Sequence, residues 1–146
     1  DKKLLRKKEA WDKSGSATNF AHNLEDLEAN HIGAVCTVGD MDFDYPETVR
    51  HRTFYIEDTY DQDLSVAFLP AFDFLENNRR STNVLIHCSE GISRSAALLI
   101  SYLMQKYDLT FDDSFARVRN SRPCCEPNGS FIQQLSKLED ELRVKG

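Results

Sequence analysis

Apolar residues recur along this chain at two spacings, and the switches between them outline its elements. Phe20, Leu24 and Leu27 share one helical face and predict a helix over residues 20–31. Gly33 follows, and Ala34-Val35-Cys36-Thr37-Val38 predicts a short buried strand. Residues 40–45 read as an acidic loop, where Pro46 breaks any regular element. Residues 53–56 are a second β-type run, and residues 57–63 a second acidic loop. Phe68, Phe72 and Leu75 predict a helix over residues 64–77, with Pro70 as a kink or a later start. A polar turn over residues 77–82 leads to Val84-Leu85-Ile86, the most strand-like segment of the chain. Residues 92–106 predict an apolar helix through Ala96, Leu99, Ile100 and Leu103. Thr110 is placed to cap a further helix with Phe111, Phe115 and Val118 on its inner face. Pro123 and Pro127 bracket a loop, and Phe131, Leu135, Leu138 and Leu142 form the stripe of a last helix over residues 130–142. Strands early and helices late predict an α/β domain with a small sheet covered by helices.

Composition narrows the class. The 146 residues suit one domain, and 40% hydrophobic residues suffice for a core. A net charge of -6 argues against general binding of nucleic acid or anionic membrane, which rewards a basic surface. No apolar run approaches the ~18 residues of a membrane span. Residues 1–10 are charged with no apolar stretch behind them, so no secretory signal is expected. The four cysteines, Cys36, Cys88, Cys124 and Cys125, lack metal-ligand spacing and a disulfide-like framework. A reducing setting inside the cell, cytoplasmic or nuclear, is therefore expected.

The chemistry concentrates in Val84-Leu85-Ile86-His87-Cys88-Ser89-Glu90-Gly91-Ile92-Ser93-Arg94-Ser95. A buried strand ends, a short polar loop follows, and an apolar helix begins. Successive backbone N–H groups of such a loop converge, and the helix N-terminus adds its dipole, so the segment reads as an anion cradle. Gly91 permits the backbone angles a tight loop demands. A thiol at this mouth, beside a helix start and a guanidinium, favours its reactive thiolate form. Arg94 at the far end offers a planar fork matched to two phosphate oxygens. The loop has no lysine and no G-K-[ST], which argues against nucleotide binding of that type.

These residues resemble the signature H-C-x5-R-[ST] of the protein tyrosine phosphatase superfamily. The surroundings are most similar to its dual-specificity branch, in a small atypical form. Ile56-Glu57-Asp58-Thr59 resembles that branch's general-acid loop, Ser93-Arg94-Ser95-Ala96 its loop-to-helix junction, and Arg122-Pro123 with Pro127-Asn128 and Phe131 its C-terminal segment. The resemblance implies a protein tyrosine phosphatase-like fold with a small central mixed sheet flanked by helices. It implies a catalytic domain over residues 16–146 behind an N-terminal arm or helix over residues 1–15. It assigns Cys88 as nucleophile, Asp58 as general acid and base, and Ser95 as donor to the sulfur. His87 would support the loop and help tune the thiol. Backbone amides of Ser89, Glu90, Gly91, Ile92, Ser93 and Arg94, with the Arg94 fork, would hold the phosphate oxygens. Arg122 matches a position that binds a second phosphate in some relatives, with a structural ion pair as the equal alternative; Asn128 is expected beside the pocket, fixing a loop or serving as a turn residue.

No metal or other cofactor is expected, because a thiolate replaces metal-activated water. The expected partner is a phosphorylated protein, with a kinase among the candidates. Cys124 and Cys125 stand where relatives often carry apolar residues; packing is the expected role, and trapping Cys88 as a disulfide the alternative. Rival functions are a phosphoprotein-binding module like the Styx-type pseudophosphatases, which lack the cysteine, a phosphoinositide or RNA 5′-phosphatase, and a sulfurtransferase or arsenate reductase. Multiply charged lipid and RNA substrates favour lysines in the loop, whereas this loop carries Glu90.

Overall fold

The computed structural model describes residues 20–40, 43–89 and 93–145. The expected arm over residues 1–15 lies outside them.

The first predicted helix is broken in two. Residues 20–21 are helical, and helix α1, Leu24–Ala29, starts anew after Asn23. The Asn23 side chain caps it by accepting from the Asp26 N–H at 3.1 Å, and Glu25 and Asp26 suit its first turn. Phe20 and Leu27 are buried, but the break turns Leu24 outward, so the expected three-residue face does not form. His31, at φ 56°, turns the chain into strand β1, Ile32–Val38. Gly33 is needed there because a Cβ would lie 2.7 Å from Thr82 Oγ1, which accepts the Gly33 N–H at 2.8 Å.

Strand β2, Arg50–Phe54, ends before the predicted run over residues 53–56 does. A 3-10 turn, Ser65–Ala67, opens helix α2, Phe68–Arg79. Pro70 occupies its first turn, where the missing N–H would have had no intrahelical partner, so it marks the start and makes no kink. Strand β3, Asn83–His87, leads to helix α3, Arg94–Tyr107. Helices α4, Phe111–Ser121, and α5, Gly129–Lys145, complete the chain. The Thr110 side chain accepts from the Asp113 N–H at 3.1 Å, as the cap predicted.

The strands lie in the order β2-β1-β3, and every pair among the described residues is parallel. A small sheet flanked by helices was the expectation; its three described strands are joined by crossovers instead of hairpins, and crossovers make parallel neighbours. β1 is buried along nearly its whole length, as a parallel strand covered on both faces must be. Side chains alternate between two cores. Ala34, Cys36, Val38, Val84 and Ile86 meet the helical layer, while Val35 and Leu85 meet Phe20, Ala21 and Leu27 on the other face. Helix α3 is apolar around almost its whole circumference and is wrapped by α2, α4 and α5. Phe131, Leu135 and Leu138 on α5 pack into this layer as the stripe predicted, with Leu142 half-covered. No helix among the described residues is long and apolar enough to cross a membrane.

Candidate active site

The alternation of β3 decides where the chemistry points. Cys88 follows Ile86 toward the helical layer, and His87 turns to the opposite face of the sheet. Cys88 is 2% exposed, and its Sγ lies 3.2 Å from Ser95 Oγ in the first turn of α3. Arg94, the first residue of α3, donates through one guanidinium nitrogen to the Ile56 carbonyl at 3.1 Å and through the other to Ser89 Oγ at 2.6 Å. The guanidinium thus spans from the loop of Cys88 to the loop after β2. Glu90, Gly91 and Ile92, expected to supply phosphate-binding amides, lie outside the described residues.

Asp58 stands exposed in the loop after β2, and its position is set by two donors to a single oxygen. Ser93 Oγ donates to Asp58 Oδ1 at 2.9 Å, and Asn128 Nδ2 donates to the same atom at 2.8 Å. Asn128 also donates its backbone N–H to Ser93 Oγ at 3.0 Å and accepts the Phe131 N–H at 2.9 Å, which caps α5. Ser93 and Asn128 therefore tie the acid loop, the start of α3 and the start of α5 together. Asn128 lies beside the site as expected. Ser93, expected to contribute its amide, contributes its hydroxyl to this link. The rest of the loop is held by Gln62 and Gln134: Glu57 N–H donates to Gln62 Oε1 at 2.9 Å, Gln134 Nε2 donates to the Gln62 carbonyl at 2.9 Å, and Leu64 N–H donates to Gln134 Oε1 at 2.7 Å. Gln134, on the last helix, carries no local signal of this role.

Cys125 is buried, and its thiol is pushed up to about 11, by burial first and then by Cys124 and Cys88, against the lowering charges of Arg122 and Arg119. Arg122 is half-buried and within electrostatic reach of that thiol. All four cysteines are free. Cys125 packs into the main core as the packing reading expects, whereas Cys124 is exposed. Cys36 is a core residue whose burial raises its thiol to about 12.

His87 is fully buried behind Cys88, its Nε2 2.8 Å from Thr37 Oγ1. Burial first, then the charges of His22 and His51, disfavour its imidazolium and push it down to about 3, against a favourable contact with the Cys88 backbone. The consequence for stability has a definite sign. The unfolded chain takes up this proton as pH falls through 6.5, while the folded chain keeps the ring neutral until about 3. The unfolded state binds more protons across that window, so stability falls on acidification by up to about 1.4 kcal/mol per pH unit. His22, lowered by burial, acts in the same direction. Urea midpoints should decline steadily from about pH 7 to about pH 4.5; a flat profile over that range contradicts a neutral, buried His87.

A sulfur at a strand end, a guanidinium at the following helix start and a carboxylate tied through Ser93 and Asn128 to the starts of α3 and α5 define a protein of the cysteine-based phosphatase type, built on a protein tyrosine phosphatase-like fold. Residues 15–141 match the family model described as dual specificity phosphatase, catalytic domain. The chain belongs to that family. Over 135 residues it is 39% identical to "Dual specificity protein phosphatase Mpk3" of Drosophila melanogaster, with 90% of this chain and 33% of the relative covered. Over 129 residues it is 37% identical to "MAP kinase phosphatase with leucine-rich repeats protein 3" of Dictyostelium discoideum, with 86% of this chain and 15% of the relative covered. The chain thus spans a third or less of the length of these two relatives. The crystal structure of human DUSP28 superposes with a TM-score of 0.80 at 27% identity, covering 87% of this chain and 91% of that one.

Proposed function

We propose that this domain hydrolyses phosphotyrosine and phosphoserine or phosphothreonine in proteins through a cysteinyl-phosphate intermediate. The observation that carries the reading is one loop–helix junction with Cys88 Sγ 3.2 Å from Ser95 Oγ, the Arg94 guanidinium on the Ile56 carbonyl at 3.1 Å, and Ser93 donating to the Asp58 carboxylate at 2.9 Å.

In the first step Cys88 thiolate attacks phosphorus, the S–P bond forms, and the P–O bond to the side chain breaks in line. Asp58 supplies the proton that the departing oxygen needs. The Arg94 fork exchanges its contacts with Ile56 and Ser89 for two phosphate oxygens, and loop amides take the charge that develops on the others. In the second step Asp58 accepts a proton from water, the water oxygen bonds to phosphorus, and the thiolate leaves. Ser95 Oγ–H, 3.2 Å from the sulfur, stabilises that leaving thiolate. No step calls for a metal, and among the described residues no group of three or more His, Cys, Asp or Glu is arranged to hold one.

The presence of Cys88 favours turnover over a binding-only role. The absence of lysine from the loop, with Glu90 within it, favours phosphoproteins over phosphoinositides and RNA. One relative's name includes MAP kinase phosphatase, which makes a phosphorylated kinase the first protein substrate to try. The four free thiols support a place inside the cell, in cytoplasm or nucleus.

Purified protein assayed side by side on phosphotyrosine peptides, phosphothreonine peptides, phosphoinositides and an aryl phosphate tests the reading. Turnover of both peptide classes, with kcat/KM well above that for the lipids, is expected. Inert phosphothreonine peptides remove dual specificity, dominant lipid turnover moves the substrate class, and no turnover of any substrate leaves a binding module.

A further inference from the structure

Thr53, His51, Thr37 and His87 form one connected polar row behind the strand that carries the nucleophile. The sheet register builds it. Thr37 on β1 pairs with Thr53 on β2 and with His87 on β3, and His51, two positions before Thr53, projects from the same face. His51 Nε2 lies 3.2 Å from Thr53 Oγ1 and 3.2 Å from Thr37 Oγ1, and Thr37 Oγ1 lies 2.8 Å from His87 Nε2. Thr37 is 2% exposed and His87 0%. Polar atoms at such depth are expected to be paired, so the protons on this row can be assigned.

A threonine hydroxyl has one proton and two lone pairs. Thr37 can therefore donate to only one of its two imidazole neighbours. The other ring nitrogen of His87, Nδ1, makes no hydrogen bond of good geometry, yet the Cys88 backbone beside the ring favours a proton on it. A backbone group with that effect is a carbonyl, since an N–H would repel the proton. One arrangement serves His87 and Thr37 together: the His87 proton sits on Nδ1 toward Cys88, Nε2 accepts from Thr37, and Thr37 accepts from His51 Nε2–H. The reverse direction would turn the Nδ1 lone pair onto a carbonyl.

We propose that Thr37 and His51 are positioning residues for the nucleophile, which act by holding His87 in the tautomer whose Nδ1–H faces the backbone at Cys88. The inference rests on the reading of Cys88 as a phosphatase nucleophile and adds the parts that support it from behind the sheet. An N–H dipole at that peptide anchors the start of the phosphate loop and sets partial positive charge near the sulfur, which favours the thiolate. Titratable groups that face this row among the described residues include His22, edge-on to His87 at 6.3 Å between ring centroids, and Tyr45, against His51 at 4.5 Å; the Cys88 thiol lies on the other face of the sheet and only its backbone meets His87. Burial raises Tyr45 above its ordinary value, so it stays neutral through the working range.

The test is the pH dependence of Cys88 alkylation by iodoacetamide in the whole chain, read at that cysteine by mass spectrometry, with inorganic phosphate as protecting anion. Thr37→Val keeps the shape and removes the hydroxyl. Its alkylation midpoint should rise by roughly half to one pH unit, the size of one buried hydrogen bond. Thr37→Ser should restore the wild-type midpoint, and His51→Phe should shift it upward by less than Thr37→Val does. Equal midpoints in wild type and Thr37→Val, or a rise in Thr37→Ser as large as in Thr37→Val, overturn the proposal. Should Thr37→Val not fold, His51→Phe decides: a raised midpoint supports the row, and an unchanged one overturns it. A wild-type Cys88 that reacts like an ordinary thiol and gains no protection from phosphate is a separate result, which removes the phosphatase reading and this inference with it.

Discussion

Replacing Cys88 by serine should lower hydrolysis of a phosphotyrosine peptide by at least about 10^4-fold, the scale on which losing a nucleophile registers, while the peptide still binds. The reason lies in the reacting atom. A thiol ionises within a few pH units of neutrality and is intrinsically nucleophilic, whereas a serine hydroxyl needs an adjacent base. Among the described residues the neighbours of Cys88 supply none: Ser95 Oγ is the side-chain group at 3.2 Å, and His87 lies on the far face of the sheet with its Nε2 on Thr37. Binding should survive because Arg94 and the loop proposed to hold the phosphate are untouched. The measurement is initial rate and peptide affinity on the same preparation. Residual turnover within a factor of ten of wild type would place the nucleophile elsewhere, and loss of binding together with turnover would make Cys88 a structural residue.

The second large effect is expected at Asp58. Asp58→Asn should reduce kcat on phosphopeptides by about 10^2- to 10^4-fold, the range for a positioned general acid. The effect should be much smaller on an aryl phosphate whose phenol leaves readily without a proton. Asparagine retains a carbonyl oxygen that can accept from Ser93 Oγ and Asn128 Nδ2, so the link among the acid loop, α3 and α5 stays intact and the change isolates proton transfer. An unchanged rate on both substrates would favour a thiol chemistry without an acid, of the sulfurtransfer or arsenate-reducing kind.

Local signals in the chain were strong where one segment contained the whole device. β3, the loop of Cys88 and the start of α3 are contiguous, so strand, nucleophile and guanidinium could be read from one stretch of residues. The Thr110 cap and the α5 stripe were legible for the same reason, because a cap and a helical face are set within a few turns of one segment. The break at Asn23 was missed because apolar spacing carried through it while the side-chain cap competed with helix continuation. The small sheet flanked by helices was legible, but the parallel direction of its described strands depends on how crossovers pack, which no strand encodes alone.

The chain's own order of residues determined which groups are proposed for the chemistry: a cysteine at a strand end, an arginine at a helix start and an aspartate in a preceding loop. Only the tertiary structure decided what holds them. Ser93 reaches Asp58, Asn128 reaches both, Gln134 steadies the acid loop from the last helix, and Thr37 meets His87 across a strand pair. A nucleophile and its phosphate loop are a local backbone motif, recorded in consecutive residues. Its supports are hydrogen bonds between groups far apart in the chain, and their partners become neighbours only when the sheet and helices have packed.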